Sequence, residues 1–503
     1  MFDIFAIVKN LKKLFEKKDW LIIGVLISVF FLTRLIRLDK FPIFCDEGIY
    51  IRWAKVAWHD ASWRFISLTD GRQPLQTWGT IPFLKLFPNN ALFGGRLFAV
   101  TAGFIALIGV FCLLYYLFGK KTALLGAFFY ILTPYFLFYD RMALVDSMVN
   151  ASFIWILFFS ILLANNLRLD LAILFGLLSG MALLAKSSVK LFLGLSIFAP
   201  ILFFTTKKGV FFKKVINFLA LYLVVIFFGL VIYNIQRLSP YLHFVTEKNK
   251  TFIVPFDEFF KKPFELLIPN LKKIPEYFFW EMGFILGFIG LAGWVKLFKE
   301  KMKIFIYLSL WILISYFTVA SFARVLFPRY IIFLGSLFLI MASYFIASLK
   351  NKKIVIFLIT IYIVSIAYFD YTILFDNKNI PFHPIDRGQY IEGWTAGWGI
   401  KEIIDYSREK SKEKPVIVMA EGNFGLAGDV LDTFVRPDDK IEIRGYWPLN
   451  VEHLIENQKE LKDKYVFIVL SHHMDIPTGW PMRLIKKYDK PNNQSVIYFL
   501  ELK

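Results

Sequence analysis

Apolar stretches of membrane-spanning length recur along the chain before residue 375, and they constrain its fold more than any other feature. An α-helix needs about 20 mainly apolar residues to cross a bilayer. The composition agrees, since 57% of the residues are hydrophobic, against roughly 45–50% in soluble domains. The pattern predicts a polytopic α-helical membrane protein with about eleven transmembrane helices, at residues 20–38, 92–118, 122–138, 144–164, 169–185, 189–206, 214–235, 277–298, 304–320, 327–349 and 354–374.

Positive charge is concentrated between these stretches. The chain has a net charge of +19, from 58 Lys and Arg against 39 Asp and Glu. The tail 375–503 holds 18 basic and 20 acidic residues, which leaves 40 and 19 for residues 1–374. A basic excess can indicate nucleic acid, a membrane surface or topology signals. Its placement in short loops favours topology and argues against nucleic-acid binding.

The basic loops also predict how the chain is oriented. With eleven spans, alternate loops carry the Lys and Arg, so all of them fall on one side, and short basic loops stay in the cytoplasm. We therefore expect a multi-pass protein of the cytoplasmic (plasma) membrane, with the N-terminus inside and everything after residue 375 outside. The basic positions are Lys9, Lys12, Lys13, Lys17, Lys18, Lys120, Lys121, Arg168, Lys207, Lys208, Lys213, Lys214, the run from Lys296 to Lys303, Lys350, Lys352 and Lys353.

The first outward loop, residues 39–91, contains an amphipathic pattern. Within residues 46–60, Ile49, Trp53 and Val56 share one helical face. Such a face, rich in aromatic residues, predicts a helix that lies in the membrane interface, with a simple surface helix as the alternative.

The C-terminal tail has a different sequence pattern from the residues before it. Short β-rich runs alternate with helical patterns, which is typical of a small α/β domain. We therefore divide the chain into a transmembrane domain, 1–374, and an extracytoplasmic soluble α/β domain, 375–503. His472 and His473 in this tail have no partner at metal-ligand spacing, and we interpret them as a surface pair.

Charged residues gather at the outward ends of the predicted spans, where ionisable groups are costly and by default indicate function. Each cluster also has a structural explanation, because acids suit helix N-termini, Lys side chains snorkel, and Arg and Tyr anchor at interfaces. The clusters are Asp46-Glu47, Arg72-Gln73-Pro74-Leu75, Asp140-Arg141 with Asp146, Lys186-Ser187-Ser188, and Arg324 with Phe327-Pro328-Arg329-Tyr330.

Together the clusters place acids and bases on one face of a hydrophobic body. Carboxylates suit a general base or a divalent cation, and Arg and Lys suit a phosphate leaving group. This combination fits transfer of a group from a phosphate-linked donor to a hydroxyl. Since nucleotide sugars are cytosolic, a donor used at the outer face should carry a lipid anchor such as a polyprenyl phosphate.

In order and spacing, these motifs resemble the C-type integral-membrane glycosyltransferases (GT-C fold), especially the protein O-mannosyltransferase and lipid A aminoarabinose transferase branch. The resemblance covers residues 1 to about 350. It departs from the family pattern at Gln73, where a first Pro is usual, and at Ile331-Ile332-Phe333, which follow the Arg-Tyr pair.

The resemblance implies roles for individual residues. Asp46 would be the catalytic base and Glu47 would support it, while Asp146 would be a candidate ligand of a divalent metal ion. The residues expected to bind the donor phosphate are Arg72, Arg141, Lys186, Arg329 and Tyr330.

The leading hypothesis is an inverting glycosyltransferase, hexosyl or pentosyl, that moves a sugar from a polyprenyl-phosphate donor to a hydroxyl of a protein, glycan or lipid. One alternative is a transporter or flippase of a lipid-linked or anionic substrate, although the sequence shows neither repeat symmetry nor mid-span polar groups. The other alternative is a membrane-anchored ligand-binding protein.

Overall fold

The structure is a computed structural model in which residues 16–203, 208–422 and 424–503 are described. Four of the basic positions used for the orientation, Lys9, Lys12, Lys13 and Lys207, lie outside the described residues. The same holds for the side chain of Lys208 and for the end of the predicted stretch 189–206.

The described chain is mainly helical up to residue 375. The helices of this part are α1 (Lys17–Leu35), α2 (Cys45–His59), α3 (Leu75–Leu86), α4 (Ala91–Phe118), α5 (Lys120–Leu132), α6 (Pro134–Tyr139), α7 (Asp146–Asn166), α8 (Leu169–Leu183), α9 (Val189–Ser196), α10 (Lys208–Tyr233), α11 (His243–Phe252), α12 (Phe256–Phe259), α13 (Phe264–Glu281), α14 (Ile285–Glu300), α15 (Met302–Phe322), α16 (Ile332–Ser348) and α17 (Lys352–Phe375). Each of the eleven predicted stretches falls mainly on helix in its described part, and 122–138, 189–206 and 277–298 are each divided between two helical segments.

Six of the described helices are long and apolar enough to cross a membrane: those built around α4, α7, α10, α15, α16 and α17. A seventh crossing results if α13 and α14, which are bent by 112° at a short break, form one broken span. A membrane protein built mainly of helices is therefore confirmed, while the count of about eleven crossings stays a prediction.

Two helix pairs of the membrane part pack through glycine. On α8, a Cβ at Gly180 would lie 2.6 Å from the Cβ of Ile232 on α10. On α14, a Cβ at Gly293 would lie 2.1 Å from the carbonyl oxygen of Met341 on α16. Membrane helices approach closely where small residues line their interface, so these glycines allow backbones to come together.

After residue 375 the chain forms short helices and a sheet. The helices are α18 (Pro384–Arg387), α19 (Ile400–Lys410), α20 (Asp429–Phe434) and α21 (Val451–Gln458). The strands of the main sheet are β3 (Val416–Glu421), β4 (Ile441–Tyr446), β5 (Tyr465–Leu470), β6 (Met482–Asp489) and β7 (Val496–Leu502). A separate two-stranded pair joins β1 (Ile43–Phe44), from the N-terminal part of the chain, to β2 (Ala396–Gly397).

The five-stranded sheet has the order β4-β3-β5-β7-β6. Strands β4, β3 and β5 are parallel, and β7 and β6 continue the sheet antiparallel. Every residue of β3 is buried, as expected for a central strand covered on both faces. The small C-terminal α/β domain predicted from the sequence is confirmed.

The tail also returns to the segment 39–91, which follows α1. Strand β2 pairs antiparallel with β1, and the backbone N–H of Cys45 donates to the carbonyl of Thr395 at 3.0 Å. Strand β1 leads directly into α2, which begins at Cys45. The C-terminal part of the chain therefore helps to position the N-terminal end of α2.

Candidate active site

Asp46 lies in the first turn of α2, and arginines from two other parts of the chain hold its carboxylate. Its Oδ1 accepts a hydrogen bond from Arg72 Nη2 at 3.2 Å, and its Oδ2 accepts one from Arg329 Nη2 at 3.1 Å. The side chain of Asp46 keeps 21% of its surface exposed, so part of it remains open to a ligand.

The arginines also decide the charge of this acid. Burial opposes ionisation of Asp46, but the Arg72 and Arg329 guanidiniums outweigh it and lower the pKa of Asp46 below its ordinary value. Asp46 is therefore a carboxylate at neutral pH.

Arg72 is fixed by a second ion pair and by aromatic rings. Its Nε lies 3.0 Å from Asp70 Oδ2, and Lys248 Nζ donates to Asp70 Oδ1 at 2.8 Å. Its guanidinium carbon lies 5.2 Å from the centre of the Tyr50 ring. Such contacts restrict a flexible side chain to one orientation, because each stabilises the same rotamer.

Gly71 lets α11 approach this loop. Its φ of +66° lies in the left-handed region, and a Cβ there would lie 2.4 Å from the carbonyl oxygen of Phe244. Glycine therefore satisfies both the backbone turn and the close contact that places Lys248 beside Asp70.

Arg329 sits in a nearly closed aromatic cage. Its side chain is only 7% exposed, and its guanidinium carbon lies 5.1 Å from the Phe44 ring and 5.4 Å from the Tyr330 ring. Its Nη1 donates to the hydroxyl of Tyr390 at 3.5 Å. The cage directs the charged end of Arg329 toward Asp46.

Lys186 and Asp146 form the next part of the cluster. Lys186 Nζ donates to Asp146 Oδ1 at 3.1 Å and lies 4.3 Å from the centre of the Tyr330 ring. Tyr330 thus contacts both Lys186 and Arg329. Six of the predicted site residues therefore form one connected group, which we call the rim cluster: Asp46, Arg72, Asp146, Lys186, Arg329 and Tyr330.

Two hydrogen bonds join the loops that carry Arg72 and Lys186. Gln73 Nε2 donates to Ser187 Oγ at 2.6 Å, and the backbone N–H of Leu75 donates to the carbonyl of Leu184 at 2.9 Å. Gln73, the position at which the motif departs from the family pattern, therefore has a structural partner here.

Glu47 points away from the rim cluster into the protein. Its side chain is fully buried and pairs with Arg96, whose Nε and Nη2 donate at 2.8 and 2.7 Å. The backbone N–H groups of Phe44 and Ala143 donate to it at 2.9 and 2.7 Å. These contacts anchor the first turn of α2 to α4 and to the loop before α7.

Arg141 is likewise engaged elsewhere. Its Nη1 donates to the carbonyls of Thr33, Arg34 and Ile36 at distances between 2.7 and 3.0 Å. These carbonyls belong to the end of α1 and the turn after it. The structure therefore does not bring Arg141 into the rim cluster.

The environment of Asp146 bears on the expected metal. Its carboxylate, 4% exposed, has an ammonium partner in Lys186. Within the described ranges there is no group of three or more His, Cys, Asp and Glu side chains that would hold a metal ion. One carboxylate already neutralised by an ammonium does not supply the several oxygen ligands that a divalent cation needs.

Several residues of the site had no signal in the sequence. Asp70 is near Arg72 in the chain and could have been found by that proximity, but Lys248 and Tyr390 are far away in sequence. Tyr390 belongs to the tail, yet it is 1% exposed and its ring packs 4.8 Å from that of Phe44. Only the fold shows that the tail completes the cage of Arg329.

Behind Tyr390 lie two buried acids. Asp386 Oδ2 accepts a hydrogen bond from the Tyr139 hydroxyl at 2.6 Å, whereas its Oδ1 and both carboxyl oxygens of Glu281 have no hydrogen-bond partner among the described residues. Burial raises the pKa of Asp386 to about 7.

Comparison with known proteins places this geometry in context. Residues 72–233, less than half of the chain, match a family model described as dolichyl-phosphate-mannose-protein mannosyltransferase. That segment contains Arg72, Arg141, Asp146 and Lys186. No curated protein matches the chain by sequence.

Solved structures match over nearly the whole chain. ArnT from Cupriavidus metallidurans in the apo state has a TM-score of 0.60 at 13% identity, covering 95% of this chain and 97% of that one. The same protein bound to undecaprenyl phosphate has a TM-score of 0.61 at 13% identity, covering 96% and 98%. The chain has the GT-C fold.

A second GT-C protein matches less completely. The Archaeoglobus fulgidus oligosaccharyltransferase, in complex with Zn and sulfate, has a TM-score of 0.51 at 12% identity. The match covers 88% of this chain and 67% of that one. The resemblance drawn from the motifs, to GT-C enzymes of the mannosyltransferase and ArnT type, is thereby confirmed, and the chain is an integral membrane protein.

Proposed function

We propose that this GT-C protein is an inverting glycosyltransferase that transfers a sugar from a polyprenyl-phosphate donor to an acceptor hydroxyl at the outer membrane face. The observation that carries the proposal is the Asp46 carboxylate, held between Arg72 and Arg329 and still partly exposed. The reaction needs a base to accept the proton of the acceptor and cations to stabilise the leaving phosphate, and this arrangement places both together. ArnT in complex with undecaprenyl phosphate, a GT-C protein with a lipid-phosphate ligand, supports the class of donor.

The cations of the rim cluster, together with the adjacent Lys248, would bind the donor phosphate. Arg72, Lys186, Lys248 and Arg329 carry four positive charges, against three negative charges on Asp46, Asp70 and Asp146. The site therefore has a net charge of +1 before a ligand enters. Guanidinium groups offer several N–H donors in a fixed plane, so both arginines would contact phosphate oxygens while still facing Asp46.

The chemical step follows from this arrangement. Asp46 accepts the proton of the acceptor hydroxyl, whose oxygen forms a bond to the anomeric carbon of the sugar. The bond from that carbon to the phosphate oxygen breaks, and its electron pair leaves with the polyprenyl phosphate. Arg72, Arg329 and Lys186 stabilise the charge on the departing phosphate. A single displacement of this kind inverts the configuration at the anomeric carbon.

Binding of the phosphate would also activate Asp46. In the free protein the two arginines lower its pKa, which makes it a weak base. An anionic phosphate close to the same guanidiniums offsets their field at Asp46. The carboxylate then becomes more basic when the donor is in place, and this couples proton transfer to donor binding.

Glu47 and Arg141 take structural roles in this proposal. Glu47 positions the first turn of α2 through Arg96, and Arg141 holds the end of α1 through its carbonyl contacts. Neither would touch the substrate. The orientation with the N-terminus inside and the C-terminal domain outside is part of the same proposal, because it places the rim cluster at the outer leaflet.

Purified protein in nanodiscs, supplied with polyprenyl-phosphate sugars, would test the activity. Asp46→Asn should abolish transfer, while Asp39→Asn, an acid in the same outward loop that pairs only loosely with Lys40, should transfer as the wild type does. Mass spectrometry of surface glycans in a deletion strain would identify both sugar and acceptor. Turnover by Asp46→Asn at the wild-type rate would rule out the proposed base.

A further inference from the structure

The C-terminal domain presents exposed aromatic side chains where its parallel strands end. Strands β3, β4 and β5 finish at Glu421, Tyr446 and Leu470 on one edge of the sheet. Trp447 directly follows β4 and is 66% exposed, and Phe424 follows β3 and is 51% exposed. In open α/β sheets, ligands bind outside the carboxyl ends of the parallel strands.

Polar groups are fixed among these rings. The His472 ring, just after β5, has its centroid 5.2 Å from the rings of both Trp447 and Trp394, the latter 49% exposed. Glu421 is buried and accepts hydrogen bonds from the backbone N–H groups of Ser471 and His472, both at 2.8 Å.

The second histidine faces the same acid. His473 Nδ1 lies 2.8 Å from Glu421 Oε1, so the two histidines that the sequence presents as a surface pair share a carboxylate partner. Burial opposes ionisation of Glu421, but hydrogen bonds from His472 and Ser471 and the nearby His473 lower its pKa below the ordinary value. The edge thus combines wide aromatic faces with a fixed carboxylate and imidazoles.

Packing contacts connect this edge to the rim cluster. The Phe424 ring lies 6.2 Å from the ring of Trp53, which lies 5.9 Å from the guanidinium carbon of Arg72. Ion pairs hold the edge on α2, since Arg52 Nη1 lies 3.0 Å from Asp429 Oδ1. Packing through the buried Trp53 therefore fixes the edge relative to the loop that carries Arg72.

We propose that this aromatic edge, formed by Trp394, Phe424, Trp447 and His472, binds a saccharide unit of the acceptor. The inference rests on the proposed transferase function and names the acceptor class as carbohydrate. The apolar C–H face of a sugar ring packs on a planar aromatic side chain, and its hydroxyls need hydrogen-bonding groups, which the partly exposed imidazoles of His472 and His473 supply while Glu421 orients them. Tryptophans that only anchor a protein in a membrane would not require a buried carboxylate fixed beneath them.

Saturation-transfer-difference NMR on the protein in nanodiscs would test saccharide binding. The probes are four neutral oligosaccharides: mannotriose, maltotriose, chitotriose and cellotriose. We expect at least one probe to give a signal in the wild type, and binding to be about tenfold weaker in the double variant Trp394→Ala/Trp447→Ala. Trp394→Phe/Trp447→Phe should retain binding because it keeps aromatic faces. Ile455→Ala removes an exposed apolar side chain on α21 instead and should bind as the wild type does.

The same variants separate this proposal from the transferase function. Asp46→Asn should bind the trisaccharide normally while losing transfer, and the double Ala variant should raise the KM for a carbohydrate acceptor with kcat little changed. If the wild type binds the probe through the tryptophans but transfers no sugar, the saccharide site stands and the transferase function fails.

Any of three results would overturn the saccharide site. The first is the absence of signal from all four probes, and the second is a signal that the double Ala variant leaves unchanged. The third is a loss of tryptophan quenching by brominated lipids in that variant, which would identify the two rings as membrane anchors.

Discussion

Asp46 and Glu47 are neighbours in the chain, and the structure treats them in opposite ways. Glu47 is fully buried and accepts hydrogen bonds from Arg96 and from two backbone N–H groups. Asp46 is 21% exposed and contacts two arginines that retain further donors. The first pairing leaves no room for a ligand, whereas the second can exchange its partners for a substrate. Of these two adjacent carboxylates on one helical turn, Glu47 therefore stabilises the fold and Asp46 is available for the chemistry.

The strongest test of this division is Asp46→Asn. If Asp46 is the base, transfer should fall by about 10²–10⁴-fold, the usual contribution of general base catalysis. The fold should persist with a modest loss of stability, because Arg329 loses its counter-charge while Asn keeps the shape and one acceptor oxygen. Single-turnover transfer at saturating donor gives the first value, and the thermal unfolding midpoint in detergent gives the second. A collapse of the midpoint would assign Asp46 to the fold as well.

Glu47→Gln should show the converse effect. It leaves Arg96 buried without its counter-charge, which costs on the order of 3 kcal/mol of the free energy of unfolding. The thermal midpoint should fall well below that of Asp46→Asn.

A double variant refines this test. Glu47→Leu/Arg96→Leu removes both charges and should recover part of the lost stability, since an apolar pair has no desolvation penalty. If Glu47→Gln is as stable as the wild type but inactive, Glu47 takes part in the chemistry and the comparison is wrong.

Arg72→Lys should have a smaller effect, mainly on the KM for the donor. Lysine keeps the charge but lacks the planar fork that would contact phosphate and Asp46 together. We expect the KM for the polyprenyl-phosphate donor to rise about tenfold with a lesser change in kcat, from initial rates at varied donor concentration. Arg64→Lys, at an exposed arginine of the same loop, is the matched control and should leave both constants unchanged.

The smallest expected effect is on the pH profile. Because the arginines lower the pKa of Asp46, the acid limb of kcat/KM should lie below the ordinary carboxyl value of about 3.9. Arg329→Gln removes one of these charges, so the pKa of Asp46 rises and the limb moves to higher pH. The stability that the ionised Asp46 contributes depends on pH in the same direction as the activity. It is present above the pKa of Asp46 in the unfolded chain and is lost as the pH falls through the pKa in the folded protein. An acid limb that Arg329→Gln leaves in place would mean that another group titrates.

Much of the fold was predictable because its signals are local. A run of about 20 apolar residues predicts a helix from neighbouring residues alone, so the predicted stretches fall mainly on helices. Strand and helix patterns after residue 375 likewise follow from residues close together in the chain. The number of crossings is less local, since α13 and α14 break at Gly283 and Phe284, where both φ angles are positive.

The site was predictable only in part, for the same reason. Position at the ends of the predicted spans and residue type identified Asp46, Arg72 and Arg329, because charged groups at span ends can be located from hydropathy. The same criteria selected Arg141, but its guanidinium is engaged by carbonyls at the end of α1. Hydropathy gives the depth of a residue and does not give the direction in which its side chain points.

The sequence by itself determined a helical membrane body, a small α/β tail and a face on which acids and bases gather. The tertiary structure decided which of two adjacent carboxylates is buried, because that depends on the rotation of α2 about its axis, and the pairing of β1 with β2 helps to set that rotation. It also decided that Lys248 and Tyr390 complete the cluster, since contacts over such distances along the chain arise only when the helices and the tail have packed.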